Sequence, residues 1–326
     1  MPGIRDAIRY PAKRVLLQRT RLAYVHLRNL LTDAKRDRAA RVAGYVACWL
    51  PEELICLYLE EGEVVNATTS SDGFAFSPIA ISDAIGRVPT AAEYGSICFH
   101  EADNEQLDLM YASQTREPLP WPRELDVSTL DPIISYLHGT MHDGAVELMV
   151  DGMVNFVSVS SGQISRGYFV DPRPGEPVAL MRGLLHGGAH ATPPVLRLWP
   201  TPDPLPAQAS PALIQAYREL MGALTARLES AGKAHASEVS EGARRALVQK
   251  HPTLDRFSPA LERLKDPVTD ANTLTKAIGA WVADILWAAA PDDVTPEDLL
   301  RELTASRRHV FQSAGLYDAL PWKVKW

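Results

Sequence analysis

Residues 44–67 read GYVACWLPEELICLYLEEGEVVNA, and residues 144–167 read GAVELMVDGMVNFVSVSSGQISRG. In each stretch a second glycine, Gly62 or Gly162, follows 18 residues after the first. The apolar positions that coincide are Val46 with Val146, Cys48 with Leu148, Leu54 with Val154, Cys56 with Phe156, Leu59 with Val159 and Val64 with Ile164. Because a pattern that recurs at a fixed spacing indicates repeated structure, the match predicts the same supersecondary unit twice.

Each stretch has the pattern of a three-stranded antiparallel meander, because apolar runs alternate with turn-forming residues. Glu61-Gly62 and Ser161-Gly162 are predicted hairpin tips, since glycine adopts the positive φ that tight hairpin turns require. We assign a structural turn role to four glycines: Gly44, Gly62, Gly144 and Gly162.

Amphipathic segments flank both meanders. Short helices are predicted ahead of them at residues 22–31 and 132–137, and behind them at residues 79–88 and 178–185. A closing strand follows each second helix, at residues 96–99 and 195–199. The prediction is therefore an α+β fold with two tandem helix/β-meander modules, residues 22–120 and 121–200.

The character of the sequence changes after Trp199. Residues 192–211 contain seven prolines, which disfavour helix and central strand, so residues 201–210 are expected to form a semi-rigid linker. Residues 211–326 show helical periodicity, and their helix-start signals are Ser210-Pro211, Ser258-Pro259 and Thr295-Pro296. An apolar stripe of Leu274, Ile278, Trp281 and Ile285 predicts the centre of an all-α helical bundle domain.

Basic residues are concentrated at the beginning of the chain. The net charge is −7, yet residues 1–41 contain eleven lysines and arginines against three aspartates. Residues 1–21 form a basic N-terminal extension, which either binds an acidic partner or docks on the acidic remainder of the chain. The candidate partner-binding patch consists of Arg5, Arg9, Lys13, Arg14, Arg19 and Arg21. Its apolar residues favour a helix or extended segment that packs partly on the modules.

The composition is that of a folded globular protein, with 46% hydrophobic and 22% charged residues. No apolar run reaches the about 20 residues of a membrane-spanning helix, and no apolar signal sequence precedes the first module. Cys48, Cys56 and Cys98 are an odd number in apolar surroundings, which favours buried, reduced thiols over a disulfide framework. We therefore expect a cytoplasmic protein with no membrane span.

The sequence contains no phosphate-binding loop, dinucleotide fingerprint or nucleophile elbow, so we expect neither catalysis nor a cofactor. Two histidine pairs with four-residue spacing, His138 with His142 and His186 with His190, are the alternative, because such pairs on helices bind metals. A metal-dependent hydrolase built on them is one alternative function. A nucleic-acid-binding protein that uses the basic N-terminus is another, although residues 34–44 carry no interleaved aromatics for base stacking.

The repeated unit resembles the PATAN-type domain, a bacterial signalling module of unknown function. Residues 44–46, 62–67 and 95–99 match its first strand, its hairpin and its closing strand, and residues 144–146 and 162–167 match the first two again. The closing strand of the second copy lacks the glycine. The resemblance covers roughly residues 22–200 and implies a non-enzymatic protein that docks on other proteins.

Members of that family are frequently joined to receiver domains, whereas the residues after 210 read as helical throughout. The expected function is thus that of a regulatory or scaffold protein in bacterial signalling or motility. It would act through protein–protein interaction, and its expected partner is another protein and not a nucleic acid.

Overall fold

The computed structural model describes residues 8–36, 41–187, 190, 192–233, 235–258, 265–290 and 294–326. The chain divides into two compact units. Unit 1 comprises Met1–Ile79 and Ala84–Pro206, and unit 2 comprises Ala80–Asp83 and Ala207–Trp326. Helices and antiparallel sheets are both present, which confirms the predicted α+β class.

Two antiparallel sheets lie in unit 1. Strands β1 (Arg14–Arg21), β2 (Gly44–Trp49), β3 (Leu54–Glu60), β4 (Glu63–Ser70), β5 (Ser77–Pro78) and β6 (Ser96–Glu101) form a six-stranded sheet in the order β1-β6-β2-β3-β4-β5. Strands β7 (Gly144–Val150), β8 (Met153–Ser160), β9 (Gln163–Tyr168) and β10 (Val195–Pro200) form a four-stranded sheet in the order β10-β7-β8-β9. The helices between the strands are α1 (Leu27–Arg36), α2 (Ile81–Arg87), α3 (Asn104–Thr115), α4 (Leu130–Gly139) and α5 (Pro177–His186).

The two meanders have the same register. Gly44 lies opposite Leu59 in the β2–β3 pair, and Gly144 lies opposite Val159 in the β7–β8 pair. In both sheets the pairing between the second and third strands of the meander has a register irregularity at the equivalent position. In both sheets the closing strand lies beside the first strand of the meander. Equivalent positions are 100 residues apart along the chain, as the sequence match predicts. A gene duplication as their origin stays an interpretation.

Gly62 and Gly162 form equivalent hairpin tips, with φ of +77° and +76°. A Cβ on Gly62 would overlap the backbone carbonyl of Ala34 in α1, and a Cβ on Gly162 would lie 2.6 Å from the carbonyl oxygen of Leu137 in α4. In both modules, therefore, the helix that precedes the meander presses against the hairpin tip. Only glycine combines the positive φ with this close approach.

Gly44 and Gly144 do not have the expected turn role. Each is the first residue of a strand, β2 or β7. A Cβ on Gly44 would overlap the carbonyl oxygen of His100, and a Cβ on Gly144 would overlap that of Trp199. The close approach of the neighbouring closing strand, which no local turn pattern reveals, is a physical reason for glycine at both positions. Gly144 also has φ of +149°, which residues with a side chain rarely adopt.

One core lies between the two sheets. Buried Tyr45 and Trp49 of the first sheet, Phe156 and Trp199 of the second, and Met110 of α3 belong to a single hydrophobic cluster. The outer faces are covered separately, the first by α1 and α2 and the second by α4 and α5. Unit 1 thus consists of two helix-covered sheets that share a core.

A buried amide organises polar groups inside this core. Gln114 of α3 donates from Nε2 to the Tyr10 hydroxyl at 2.8 Å. Its Oε1 accepts hydrogen bonds from Tyr58 at 2.7 Å and from Thr68 at 2.5 Å. Because an unpaired buried polar group is costly, these mutual bonds stabilise the packing of α3 against the first sheet.

Residues 8–21 connect the two sheets. The backbone of Arg9 donates to the Gly152 carbonyl and accepts from the Val154 amide, both at 2.9 Å, at the beginning of β8. Strand β1 then pairs with β6 at the edge of the first sheet. Ile8 and Tyr10, on either side of Arg9, are buried in the shared core. The N-terminal segment is therefore extended and packed on both modules.

The first part of the expected linker also packs on unit 1. Leu205 is buried in the shared core, and its amide donates to the Asp108 carboxylate at 2.7 Å. The Pro206 carbonyl accepts a hydrogen bond from Asn66 at 2.5 Å. Residues 205 and 206 are thus held by unit 1 and are not part of a free spacer.

Unit 2 is helical. Its helices are α6 (Pro211–Ser230), α7 (Ala236–Leu247), α8 (Ala271–Ala289), α9 (Pro296–Thr304), α10 (Arg308–Ser313) and α11 (Leu316–Ala319), with 3₁₀ turns at Pro252–Phe257 and Ala305–Arg307. Ser210 and Thr295 accept hydrogen bonds from the amides of Leu213 and Asp298, as predicted for N-caps. The start signal at Ser258-Pro259 falls partly outside the described residues. Helix α8 lies at the centre of the core, with the predicted apolar stripe buried.

We expect Gly62→Ala and Gly162→Ala each to lower the free energy of unfolding of unit 1 by more than about 2 kcal/mol, because positive φ and a backbone clash add. Gly232→Ala is the matched control, since Gly232 has φ of +85° but no atom lies within 4 Å of the position that an added methyl group would take. That control should cost only about 1 kcal/mol of strain. Urea unfolding followed by hydrogen exchange in each unit measures these losses. Equal losses in all three variants would show that the helices do not press on the hairpin tips.

Deleting residues 1–21 should lower the melting temperature of unit 1, because it removes a strand and two core side chains. A point variant makes the same test without truncation. Ile8 is 1% exposed and Val15 is 50% exposed, so Ile8→Ala should cost about 2–5 kcal/mol and Val15→Ala less than about 1 kcal/mol. Urea unfolding provides the comparison, and similar losses for the two variants would contradict the docking of residue 8.

Candidate functional site

Two residues of the predicted basic patch form ion pairs within unit 1. The Lys13 ammonium lies 2.9 Å from the Asp103 carboxylate, and the Arg14 guanidinium lies 2.8 Å from that of Glu101. Glu101 is the last residue of β6 and Asp103 lies just after it, so the pairs hold β1 at the sheet edge. Asp103 is the main cause that raises the pKa of Lys13.

The other patch residues are distributed differently. The Arg19 guanidinium lies 4.1 Å from the centroid of the Trp49 ring, in a cation–π contact. Arg9 and Arg21 have exposed side chains. Arg5 lies outside the described residues. The patch as a partner-binding surface stays a prediction, since three of its cations already contact their own chain.

The four candidate histidines have separate surroundings. His138 and His186 are exposed at the ends of α4 and α5. His142 Nε2 lies 3.0 Å from the Trp199 carbonyl oxygen, and His190 Nδ1 lies 3.6 Å from the Asp151 carboxylate. Within the described residues, no three His, Cys, Asp or Glu side chains are grouped so that they could hold a metal ion.

His190 and Asp151 line a cavity of about 410 Å³ beside α5, together with the buried Asn155 and the ring of Phe169. The Asn155 amide is satisfied by backbone groups, at 3.2 Å to Leu148 O and 2.9 Å from Val170 N. The cavity is large enough for a small molecule.

The three cysteines are free and buried. Burial raises the pKa of Cys56 and of Cys98 to about 12, and it raises the pKa of Cys48 well above its usual value. Because the thiolate is the nucleophilic form, these side chains are inert at neutral pH. The cysteines are therefore structural.

An exposed tryptophan stands out in unit 2. One face of α8 points to solvent along Thr273, Lys276, Ala280, Asp284 and Trp287. The first four are small or polar, as a solvated face requires, whereas the Trp287 side chain is 68% exposed. Its ring meets that of Trp322 edge to face, with centroids 5.7 Å apart.

A second aromatic pair lies along the same segment. The rings of Tyr317 and Trp326 have centroids 5.7 Å apart, and Trp326 is 44% exposed. Arg308 stacks on the Trp326 ring at 4.6 Å. Between the pairs, Val324 packs on the helical core. We call the four residues Trp287, Tyr317, Trp322 and Trp326 the tryptophan surface.

Backbone and side-chain contacts position this surface. The Arg301 side chain of α9 donates to the Lys325 carbonyl at 2.7 Å, which holds residues 321–326 against the helices. The Tyr317 hydroxyl donates to Thr304 Oγ1 at 3.0 Å. The rings are thus fixed before any partner arrives, and their arrangement suits the binding of apolar groups.

Comparisons with known proteins do not identify the chain: no family model, no curated protein and no solved structure matches it. Among the described residues, every helix is too short or too polar to cross a membrane.

We expect Cys48, Cys56 and Cys98 to remain unmodified by Ellman's reagent at pH 8 in the folded protein, because buried thiols with raised pKa values neither ionise nor meet the reagent. In urea all three should react, since each pKa returns to about 8.5 and the side chains become accessible. Release of the coloured thiolate measures both states. Rapid reaction of any cysteine without urea would contradict its structural role.

Proposed function

We propose that this chain is a non-enzymatic regulatory or scaffold protein that binds another protein through the tryptophan surface of unit 2. The observation that carries the proposal is Trp287, whose large apolar ring lies on the solvent face of a helix that otherwise exposes small and polar residues. Tryptophan and tyrosine are enriched at protein interfaces, where they dominate the binding energy.

A partner that covers these aromatic rings would gain binding free energy. An aromatic side chain that is fully covered removes on the order of 150 Å² of apolar area from water, which is worth roughly 4 kcal/mol. Much of this free energy remains to be gained when a partner covers Trp287 and Trp326, because both side chains are exposed. Their fixed ring partners reduce the entropy that binding would otherwise cost.

The resemblance of the repeated unit to PATAN-type modules supports a role in bacterial signalling or motility. A cytoplasmic location is part of the proposal, supported by the three free, buried thiols. Unit 1 would then serve as the folded body that accompanies the binding surface.

Affinity capture from the native host tests the proposal with the double variant Trp287→Ala/Trp326→Ala. The control is Tyr24→Ala/Tyr94→Ala, which removes two aromatic side chains that are also exposed, in unit 1. A protein partner should be retained by the wild type and the control, and reduced at least about tenfold by the tryptophan variant, as for a binding hot spot.

Thermal unfolding provides the check on folding. The double variant removes two aromatic pairs, each worth about 0.5–1.5 kcal/mol, so it should lose about 1–3 kcal/mol of stability and remain folded. Equal recovery of the partner by all three proteins, with unchanged folding, would overturn the proposed role of the tryptophan surface.

A further inference from the structure

Residues 321–326 contain two lysines between two tryptophans. Lys323 and Lys325 are exposed, and they alternate with Trp322, Val324 and Trp326, which face the helices or Tyr317. In the part of the chain that the structure describes, neither ammonium group pairs with a carboxylate. The segment therefore presents a row of aromatic rings bordered by positive charge.

Four other cations of unit 2 are held by carboxylates of the same unit. The pairs are Arg218 with Asp266 at 2.5 Å, Arg244 with Glu241 at 2.8 Å, Arg301 with Asp298 at 2.9 Å and Arg307 with Glu219 at 2.5 Å. An external carboxylate that approached those arginines would compete with an acid already in place. Lys323 and Lys325 can bind an external carboxylate without such competition.

From this charge pattern we infer that the partner offers an acidic segment with at least one aromatic or large aliphatic side chain. The inference rests on the proposed function and specifies its partner. The apolar side chain would cover the ring pair of Trp287 and Trp322, and the carboxylates would meet the two lysines. Trp326 follows Trp322 by four residues, a distance of at most about 14 Å in an extended chain, so a short extended segment reaches both ends.

A lipid surface is the competing occupant, because tryptophan and lysine also occur together at membrane interfaces. The net charge of −7 disfavours it. Residues 207–326 contain 15 lysines and arginines and 15 aspartates and glutamates, so unit 2 has no excess of positive charge to attract an anionic bilayer. A short acidic segment needs only the charges within about one Debye length, roughly 8 Å. The same charge pattern therefore favours a peptide segment.

Fluorescence anisotropy with a labelled decapeptide of six aspartates, two leucines and two phenylalanines tests the inference on the full chain. Binding should saturate, weaken as salt rises, and weaken at least about tenfold in Lys323→Glu/Lys325→Glu. Lys250→Glu/Lys276→Glu is the charge-matched control and should bind like the wild type. Two further peptides, one with lysine for aspartate and one with serine for the apolar residues, should not bind.

Each result has a defined meaning. No binding of the acidic peptide, or equal binding by both lysine variants, overturns the acidic partner. If capture of a partner from the host still depends on Trp287 and Trp326, the proposed function stands, and only the acidic character of the partner is rejected. Sedimentation with vesicles of phosphatidylserine and phosphatidylcholine that depends on Lys323 and Lys325, without peptide binding, would assign the surface to a membrane. A dimer that Trp287→Ala dissociates would assign it to a second copy.

Discussion

Backbone pairing between residues 8–21 and both sheets fixes the relation between the two halves of unit 1. Arg9 adds to β8 of the second sheet, and β1 adds to β6 of the first. Between these contacts, Tyr10 enters the shared core and meets Gln114 of α3. The two meanders are thereby one folding unit with a common interior, and the lysine and arginine pairs at the sheet edge depend on this placement.

Positive charges of the N-terminal segment contact groups of unit 1 itself. Lys13 and Arg14 neutralise acids in and next to β6, and Arg19 stacks over the ring of the buried Trp49. Basic residues that look available in a linear sequence are thus part of a sheet edge. By contrast, Lys323 and Lys325 lie in a much less conspicuous stretch, yet their charges face solvent beside exposed rings.

Much of the fold could be predicted because it depends on local patterns. Apolar alternation and glycine spacing indicate the meanders, and capping residues such as Ser210 and Thr295 indicate helix starts. The partners of β1 and the need for glycine at position 44 could not be predicted, since both depend on strands far away in the chain. The exposure of the tryptophan surface could not be predicted for a different reason. Tryptophan in an apolar helix indicates core, which is right for Trp281, but Trp287 follows Ile285 by two residues and so lies about 200° away around the helix.

The double pairing of residues 8–21 also has a kinetic consequence. Arg9 meets its partner Met153 more than a hundred residues later along the chain, so contacts of very high sequence separation complete unit 1. At about 5–20 residues per second, a ribosome needs roughly 7–30 s to synthesise the intervening chain. Throughout that time the apolar side chains Ile8 and Tyr10 lack the second sheet that completes their burial. Folding of unit 1 is therefore delayed until its second sheet has emerged, and the nascent first sheet is the species that chaperones would meet.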